Sequence, residues 1–276
     1  MEKIVFIASR SHSGSTLLDL ILGGNSRFIG LGEIALFIER ASIDMEEICR
    51  GPCSCGETMD TCIFWGKVIS RLRSNDDVSL KEKYKIVFET FSEVFDDSYI
   101  PVDSSKYLDS LSFLDMNFNF NIQVLHILKD VRAFTISQID NAIRRNQKKP
   151  KYYPYVLFRN WYYANKALQQ YISKQNIHSL QVGYDELGLY PNFIIKKICD
   201  FLSVDFEPSM LELKKSSSHS VLGNRMRIQN EKQTIRYDHR WFTRREWEMP
   251  AVLFRNIMKY NTNNVYSNKT EAMWEQ

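Results

Sequence analysis

The opening segment constrains this chain more than any other stretch. Lys3-Ile4-Val5-Phe6-Ile7-Ala8 is a short apolar run, rich in β-branched residues and bounded by polar ones, which is the pattern of a buried strand. The texture then changes at once to Ser9-Arg10-Ser11-His12-Ser13-Gly14-Ser15-Thr16, small and polar, before Leu17-Leu18-Asp19-Leu20-Ile21-Leu22 reads as a helix closed by Gly23-Gly24. Strand, loop, helix is the start of a βαβ unit. Similar short apolar runs at Tyr99 to Val102, Ile122 to Leu128 and His178 to Val182 are each followed by helical texture. The alternation predicts an α/β fold, a parallel β-sheet flanked by helices.

Longer helices are expected over Leu80 to Phe95, Arg132 to Arg145, Tyr155 to Tyr171, Phe193 to Leu202 and Trp241 to Met258. No internal repeat or domain-scale linker interrupts residues 1–276, so one domain is expected, with a Cys-rich insertion at about 44–64 and a polar C-terminal tail from about 261. With 36 Lys plus Arg against 33 Asp plus Glu, the net charge is +3. That balance removes the sequence-independent argument for nucleic-acid binding. No apolar run approaches a membrane span, and Glu2 directly after Met1 does not suit a signal peptide. A cytoplasmic protein is therefore expected. The one strong basic run, Arg144 to Lys151, is either a solvated helix end or a rim that attracts an anionic substrate.

A glycine- and hydroxyl-rich loop between a strand and a helix presents backbone N–H groups at the positive end of a helix dipole, which suits a phosphate. Ser13-Gly14-Ser15-Thr16 is such a loop. A nucleoside-triphosphatase loop would need G-x-x-x-x-G-K-[ST]; here Ser15 stands at the lysine position and the first glycine is missing. The loop suits a less highly charged group, held without an obligatory metal.

These residues resemble the 5′-phosphosulfate loop of sulfotransferases that use 3′-phosphoadenosine 5′-phosphosulfate (PAPS). Three further segments match that family in order: Val102-Asp103-Ser104-Ser105-Lys106; Leu128-Lys129-Asp130-Val131-Arg132-Ala133 with Ser137; and Gly183-Tyr184-Asp185-Glu186-Leu187 with the helix through Cys199 to Leu202. The likeness runs from residue 4 to about 245 and is greatest for the bacterial and tyrosylprotein-sulfotransferase-like branch. It departs at His12, where most members carry Lys or Arg, and at Lys129, where an arginine is usual.

The resemblance implies a P-loop-like sulfotransferase fold, PAPS as sulfuryl donor, 3′-phosphoadenosine 5′-phosphate (PAP) as product, and a glycan, lipid or small-metabolite hydroxyl as acceptor. Ser13, Gly14, Ser15 and Thr16, with Arg10, would hold the 5′ side. Lys129, Arg132 and Ser137 would hold the 3′-phosphate, with Tyr184 near the nucleotide and Glu186 orienting it. Lys106, just past a strand end, would stabilise the leaving phosphate. Glu33 matches the acidic base of the tyrosylprotein branch, with His12 or His126 as rivals; apart from catalysis, Glu33 would be a first-turn carboxylate of the helix Ile34 to Ala41. Arg225 and Arg227 resemble a late loop that closes over the nucleotide, and in an extended segment both would face one side. Alternatively they are surface arginines.

Cys49-x3-Cys53-x-Cys55-x6-Cys62 places four thiols within fourteen residues. The readings are a zinc site on those four or a structural turn, with or without a disulfide. Cys199 is expected in the core. The aromatic residues of Tyr152 to Tyr155 and Trp161 to Tyr163 either line an acceptor pocket or pack the core. Outside this family, a P-loop-like small-molecule kinase and an inert nucleotide-binding protein are the alternative functions; the oligomeric state is not legible.

Overall fold

The computed structural model of the chain describes residues 3–75, 78–228 and 234–268. Five strands form one sheet: β1 (Lys3–Ala8), β2 (Phe28–Gly32), β3 (Ile100–Lys106), β4 (Asn121–Leu128) and β5 (Ser179–Gly183). Their order across the sheet is β2-β3-β1-β4-β5, and every pairing is parallel. Because β1 lies between β3 and β4, the chain passes from β1 to one side of it and later crosses from β3 to β4 on the other, so its carboxyl end is the switch point at which open parallel sheets bind ligands.

Period-two alternation sorts β1 between two faces. Ile4, Phe6 and Ala8 enter one core cluster and Val5 and Ile7 the other, all of them buried, as expected for a parallel strand covered on both sides. On the first face lie α2 (Ile34–Ala41), α4 (Trp65–Arg73), α5 (Leu80–Val94) and α6 (Leu108–Asn117); the short α3 (Met45–Cys49) packs on α2. On the second face lie α1 (Ser15–Leu22), α9 (Tyr184–Leu189) and α10 (Pro191–Leu202). Beyond β4, α7 (Val131–Arg144) and α8 (Tyr153–Lys174) pack with α11 (Glu248–Leu253) and α12 (Arg255–Val265) around Phe158 and Trp161.

Three expectations change. The β3 strand runs on through Asp103-Ser104-Ser105 to Lys106, so Lys106 is its last residue and not the first beyond it. Hydrogen bonding keeps this polar stretch extended: Ser9 N–H donates to the Lys106 carbonyl at 2.9 Å, and Asp103 accepts from Ser105 N–H at 2.8 Å. The expected helix Trp241 to Met258 is broken into a 3₁₀ turn (Arg240–Thr243), α11 and α12, with Pro250 inside α11. The expected polar tail begins as the second half of α12, where buried Asn261 accepts from Val131 N–H at 2.8 Å and its amide donates to Asp130 at 2.9 Å. Residues 269–276 of that tail lie outside the described residues.

A late segment stitches the sheet edge. His219 N–H donates to the Gly30 carbonyl at 2.7 Å, Val221 N–H to that of Leu31 at 3.1 Å, and Glu33 N–H to that of Val221 at 3.1 Å. Gly32 makes the approach possible: its φ is +76°, and a Cβ there would lie 2.3 Å from the Val221 carbonyl oxygen.

Candidate functional site

The loop Ser9 to Gly14 joins the central strand to the head of α1. Its turn is closed by Ser13 N–H donating to the Arg10 carbonyl at 3.1 Å, and it is tied to α7 by Gln138 donating to the Ser11 carbonyl at 3.1 Å. The N–H groups of Ser15, Thr16 and Leu17 belong to the first helical turn, where no carbonyl of the helix reaches them, and they point to the loop side. Among the described residues, the Ser13 hydroxyl and Arg10 Nε are buried without a hydrogen-bond partner. Unpaired buried donors of this kind are available to a ligand. Gly14 has φ +100°, and a Cβ on it would lie 2.2 Å from the Tyr184 ring, so the ring lies directly on the loop.

His12, inside this loop, and Lys106, the last residue of β3, both adopt left-handed backbone, with φ of 68° and 70°. Such conformations are costly for side chains with a Cβ and concentrate at functional sites. Burial, reinforced by the charges of Arg144, Lys129, Lys106 and Arg145, pushes the His12 pKa down to about 4. His12 is thus a neutral imidazole near pH 7, able to donate one hydrogen bond but contributing no charge. The same couplings place the start of the basic run, Arg144 and Arg145, on the loop's electrostatic horizon, although the run itself is exposed.

Glu33 occupies the N-cap position of α2, but its side chain makes no cap hydrogen bond. It instead forms an ion pair with Lys106, both side chains being 8% exposed. The pair lies beside Gly223, whose added Cβ would meet both the Glu33 carboxylate and the Thr16 hydroxyl. Glu33, Lys106 and the phosphate-type loop therefore share one edge. His126 is elsewhere: it is buried in β4, held by Asn165 at 3.1 Å, and it borders a cavity lined by Gln169, His178 and Gln181 beside β5.

The second cation cluster follows β4. Lys129 is buried, donates to Ser137 at 3.1 Å and Asp238 at 2.6 Å, and lies 4.7 Å from the centre of the Tyr184 ring. Burial, followed by the charges of Asp238 and Asp185, pushes the Tyr184 hydroxyl up to about 12. Arg132 is not turned toward this cluster. Its guanidinium grips Asp130 through two hydrogen bonds of 2.9 and 2.7 Å and stacks 4.0 Å from the centre of the Trp241 ring. The guanidinium that does reach Ser137 is that of Arg240, at 3.4 Å, and it also donates to Asp238 at 2.7 Å. Sequence reasoning missed both Asp238 and Arg240. Only the fold joins them to Lys129, from more than a hundred residues away.

The late arginines separate. Residues Arg225–Ile228 form a 3₁₀ turn and not an extended strand, so Arg225 is exposed while Arg227 is buried, donating to the carbonyls of Leu222, of Pro52 at 2.6 Å and of Ser220 at 3.1 Å. Glu186 accepts from the Asn268 backbone at 2.6 Å and its amide at 2.9 Å, anchoring the segment that follows α12. Of the aromatic stretch, Trp161 is core, whereas Tyr152 and Tyr163 are exposed. Cys199 is buried against Met210. All five cysteines are free thiols. Cys49 lies apart, its sulfur accepting from Arg73 at 3.4 Å, while Cys53, Cys55 and Cys62 converge with His219.

No protein-family model and no curated protein sequence matches the chain. Solved structures do. The sulfotransferase domain from the Synechococcus PCC 7002 olefin synthase aligns with a TM-score of 0.62 at 16% identity, covering 92% of this chain and 96% of that one. The sulfotransferase domain from the curacin biosynthetic pathway aligns with a TM-score of 0.59 at 20% identity, covering 98% of each chain. Mouse sulfotransferase SULT7A1, complexed with PAP, aligns with a TM-score of 0.54 at 11% identity over all of this chain and 89% of its own. The chain thus has the sulfotransferase fold. Among the described residues, no helix is long and apolar enough to cross a membrane.

Proposed function

We propose that this chain is a PAPS-dependent sulfotransferase acting on a hydroxyl of a glycan, lipid or small metabolite. One observation carries the reading: two separate anion positions, the loop at the head of α1 and Lys129 just before α7 with Ser137 inside that helix, are joined by the Tyr184 ring, which packs against Gly14 and lies 4.7 Å from the Lys129 ammonium. Two such positions on one aromatic platform suit a nucleotide phosphorylated at both its 5′ and 3′ ends. The residues fit that ligand chemically, since the unpaired Ser13 hydroxyl and Arg10 Nε are donors and Gly14 admits close backbone approach.

When bound, PAPS supplies the sulfuryl group and, as its sulfur–oxygen bond breaks, the 5′-phosphate leaving oxygen. Glu33 takes the proton of the acceptor hydroxyl as that oxygen forms its bond to sulfur. Lys106 places its ammonium against the negative charge that develops on the leaving oxygen. The ion pair of Lys106 with Glu33 keeps both in position before the ligands arrive. The first turn of α1, with Ser13, Ser15 and Thr16, holds the 5′ end, and neutral His12 adds a hydrogen bond. Lys129, Ser137 and Arg240 hold the 3′ end; Arg132 supports them indirectly, by fixing Asp130 at the start of α7. Arg225 remains the late-segment candidate for closing on the nucleotide, whereas Arg227 holds the segment's backbone.

Calorimetric titration with PAP and with ATP tests the nucleotide reading, and radiolabelled PAPS with a pool of hydroxyl acceptors tests the transfer. Tight PAP binding with no preference for ATP is expected; ATP binding equal to or better than PAP would overturn the reading in favour of a kinase, and PAP binding without label transfer in favour of an inert nucleotide binder.

A further inference from the structure

The Cys-rich insertion meets the late segment at a cluster that the sulfuryl-transfer chemistry does not use. The sulfurs of Cys53, Cys55 and Cys62 and a ring nitrogen of His219 all lie within 4.8 Å of one another, with Cys62 Sγ 3.2 Å from His219 Nδ1. Cys53, Cys62 and His219 are buried, and Cys55 closes the cluster from the solvent side. We propose that these four residues form a structural zinc site that fastens the insertion to the segment beside Glu33.

The donor set argues for zinc. Three thiolates and one imidazole make a closed tetrahedral set with no position left for water, the composition of structural rather than catalytic zinc. Zinc–sulfur and zinc–nitrogen bonds of about 2.3 and 2.0 Å place tetrahedral donors roughly 3.5–3.8 Å apart, so a cluster spanning at most 4.8 Å closes around one ion with small side-chain movements. Soft thiolates disfavour calcium and magnesium, which take oxygen ligands.

The backbone around the cluster is already organised. Cys53-Ser54-Cys55-Gly56 turns through Gly56 N–H donating to the Cys53 carbonyl at 3.2 Å, and Cys53 N–H donates to the Glu57 carbonyl at 2.8 Å. Gly56 has φ +100°, which allows the reversal that brings Cys55 back over Cys53. Trp65 N–H donates to Cys62 Sγ at 3.5 Å, the kind of outer hydrogen bond that orients a metal-bound thiolate.

The opposite wall is equally fixed. Trp65 Nε1 donates to the His219 carbonyl at 2.5 Å, Ser54 Oγ to the Ser218 carbonyl at 2.7 Å, and Ser220 N–H to Ser54 Oγ at 2.7 Å. A metal here would bridge Cys62 to a residue 157 positions away. It would close the late segment onto β2 beside the backbone that carries Glu33. Cys49 takes no part, although it belongs to the same sequence cluster. A Cys53–Cys62 disulfide is the competing use of these thiols, and it would leave His219 and Cys55 without a role.

The full chain is purified under reducing conditions, and its metal content is measured by plasma mass spectrometry. About one zinc per chain is expected; replacement with cobalt should give thiolate charge-transfer bands and the intense visible bands of a four-coordinate ion. Cys49→Ser and Cys199→Ser should keep both the stoichiometry and the spectrum. Cys62→Ser should weaken zinc at least 100-fold in chelator competition, and His219→Ala should keep the charge-transfer bands while changing the visible ones. Should Cys62→Ser fail to fold, the wild-type chain decides: stripping zinc with a chelator must lower its melting temperature, and adding zinc back must restore it. A wild-type chain that neither carries nor takes up zinc, an equal loss of metal in Cys49→Ser, or an intact Cys53–Cys62 disulfide in non-reducing mass spectrometry overturns the proposal.

Discussion

The Asp238 carboxylate lies 2.6 Å from the ammonium of Lys129, which donates in turn to Ser137 at 3.1 Å. Burial opposes the charge on Asp238, but Arg240 and Lys129 outweigh it and hold the carboxyl well below the usual range. Asp238 is therefore an anion at the position assigned to the 3′-phosphate, and a phosphate must displace it to reach Lys129. Asp238→Asn should tighten PAP binding about tenfold, since roughly 1.4 kcal/mol of pairing no longer has to be broken, and should leave adenosine 5′-phosphate binding unchanged. Calorimetry with the two nucleotides checks this; weaker PAP binding in the variant would mean that Asp238 positions the cations and does not compete for them.

Arg132 and Arg240 should behave oppositely. Arg132→Ala leaves Asp130 buried without its guanidinium and should cost about 3 kcal/mol of stability in urea unfolding. Arg240 is exposed over 57% of its side chain, so Arg240→Ala should change stability little while weakening PAP about tenfold. Equal effects of both variants on PAP affinity would return Arg132 to the nucleotide site.

The sequence motifs located the carboxyl edge of the sheet but not which side chains turn into it. β1 was legible to the residue because a buried parallel strand is an uninterrupted apolar run, and Gly14 was legible as a turn residue because its φ of +100° favours glycine. The continuation of β3 through Asp103-Ser104-Ser105 was hidden, because polar residues inside a strand read as loop until their hydrogen-bond partners are known. Arg132 followed the spacing of a phosphate ligand, yet Trp241 and Asp130 draw it away. The convergence of His219 with Cys62, 157 residues apart, depends on tertiary contacts alone.

The Glu33–Lys106 pair yields a prediction that separates chemistry from binding. Glu33→Gln preserves shape and should lower kcat/KM by about 10²–10⁴ through loss of the base, and because it frees Lys106 from its ion pair it should not weaken PAP. Lys106→Met should reduce kcat by about 10²–10³ through loss of charge stabilisation at the leaving oxygen. Single-turnover transfer measured beside PAP titration resolves the two; a Glu33→Gln variant of near wild-type rate would assign the proton transfer to another group.

Asp103 carries the last prediction, which concerns pH. It is fully buried, one carboxyl oxygen accepts from Ser105 N–H, and among the described residues the other has no hydrogen-bond partner. Burial pushes its pKa up to about 7, against the lowering effect of Ser105. A carboxyl whose pKa is raised on folding stabilises the fold most below its unfolded pKa of about 3.9, and that contribution is lost as pH rises toward 7. Asp103→Asn cannot ionise, so its stability relative to the wild type should rise steadily from about pH 4 to pH 7 and level off above. The ceiling on that change is about 4 kcal/mol, from a shift of roughly three pH units. Urea unfolding of both proteins between pH 4 and 8.5 measures the difference; His126, not among the groups acting on Asp103, cancels in it, whereas buried Asp19, raised to about 6 and repelled by ionised Asp103, adds to the change in the same direction. A difference that stays constant with pH would show that Asp103 is ionised in the folded protein throughout that range.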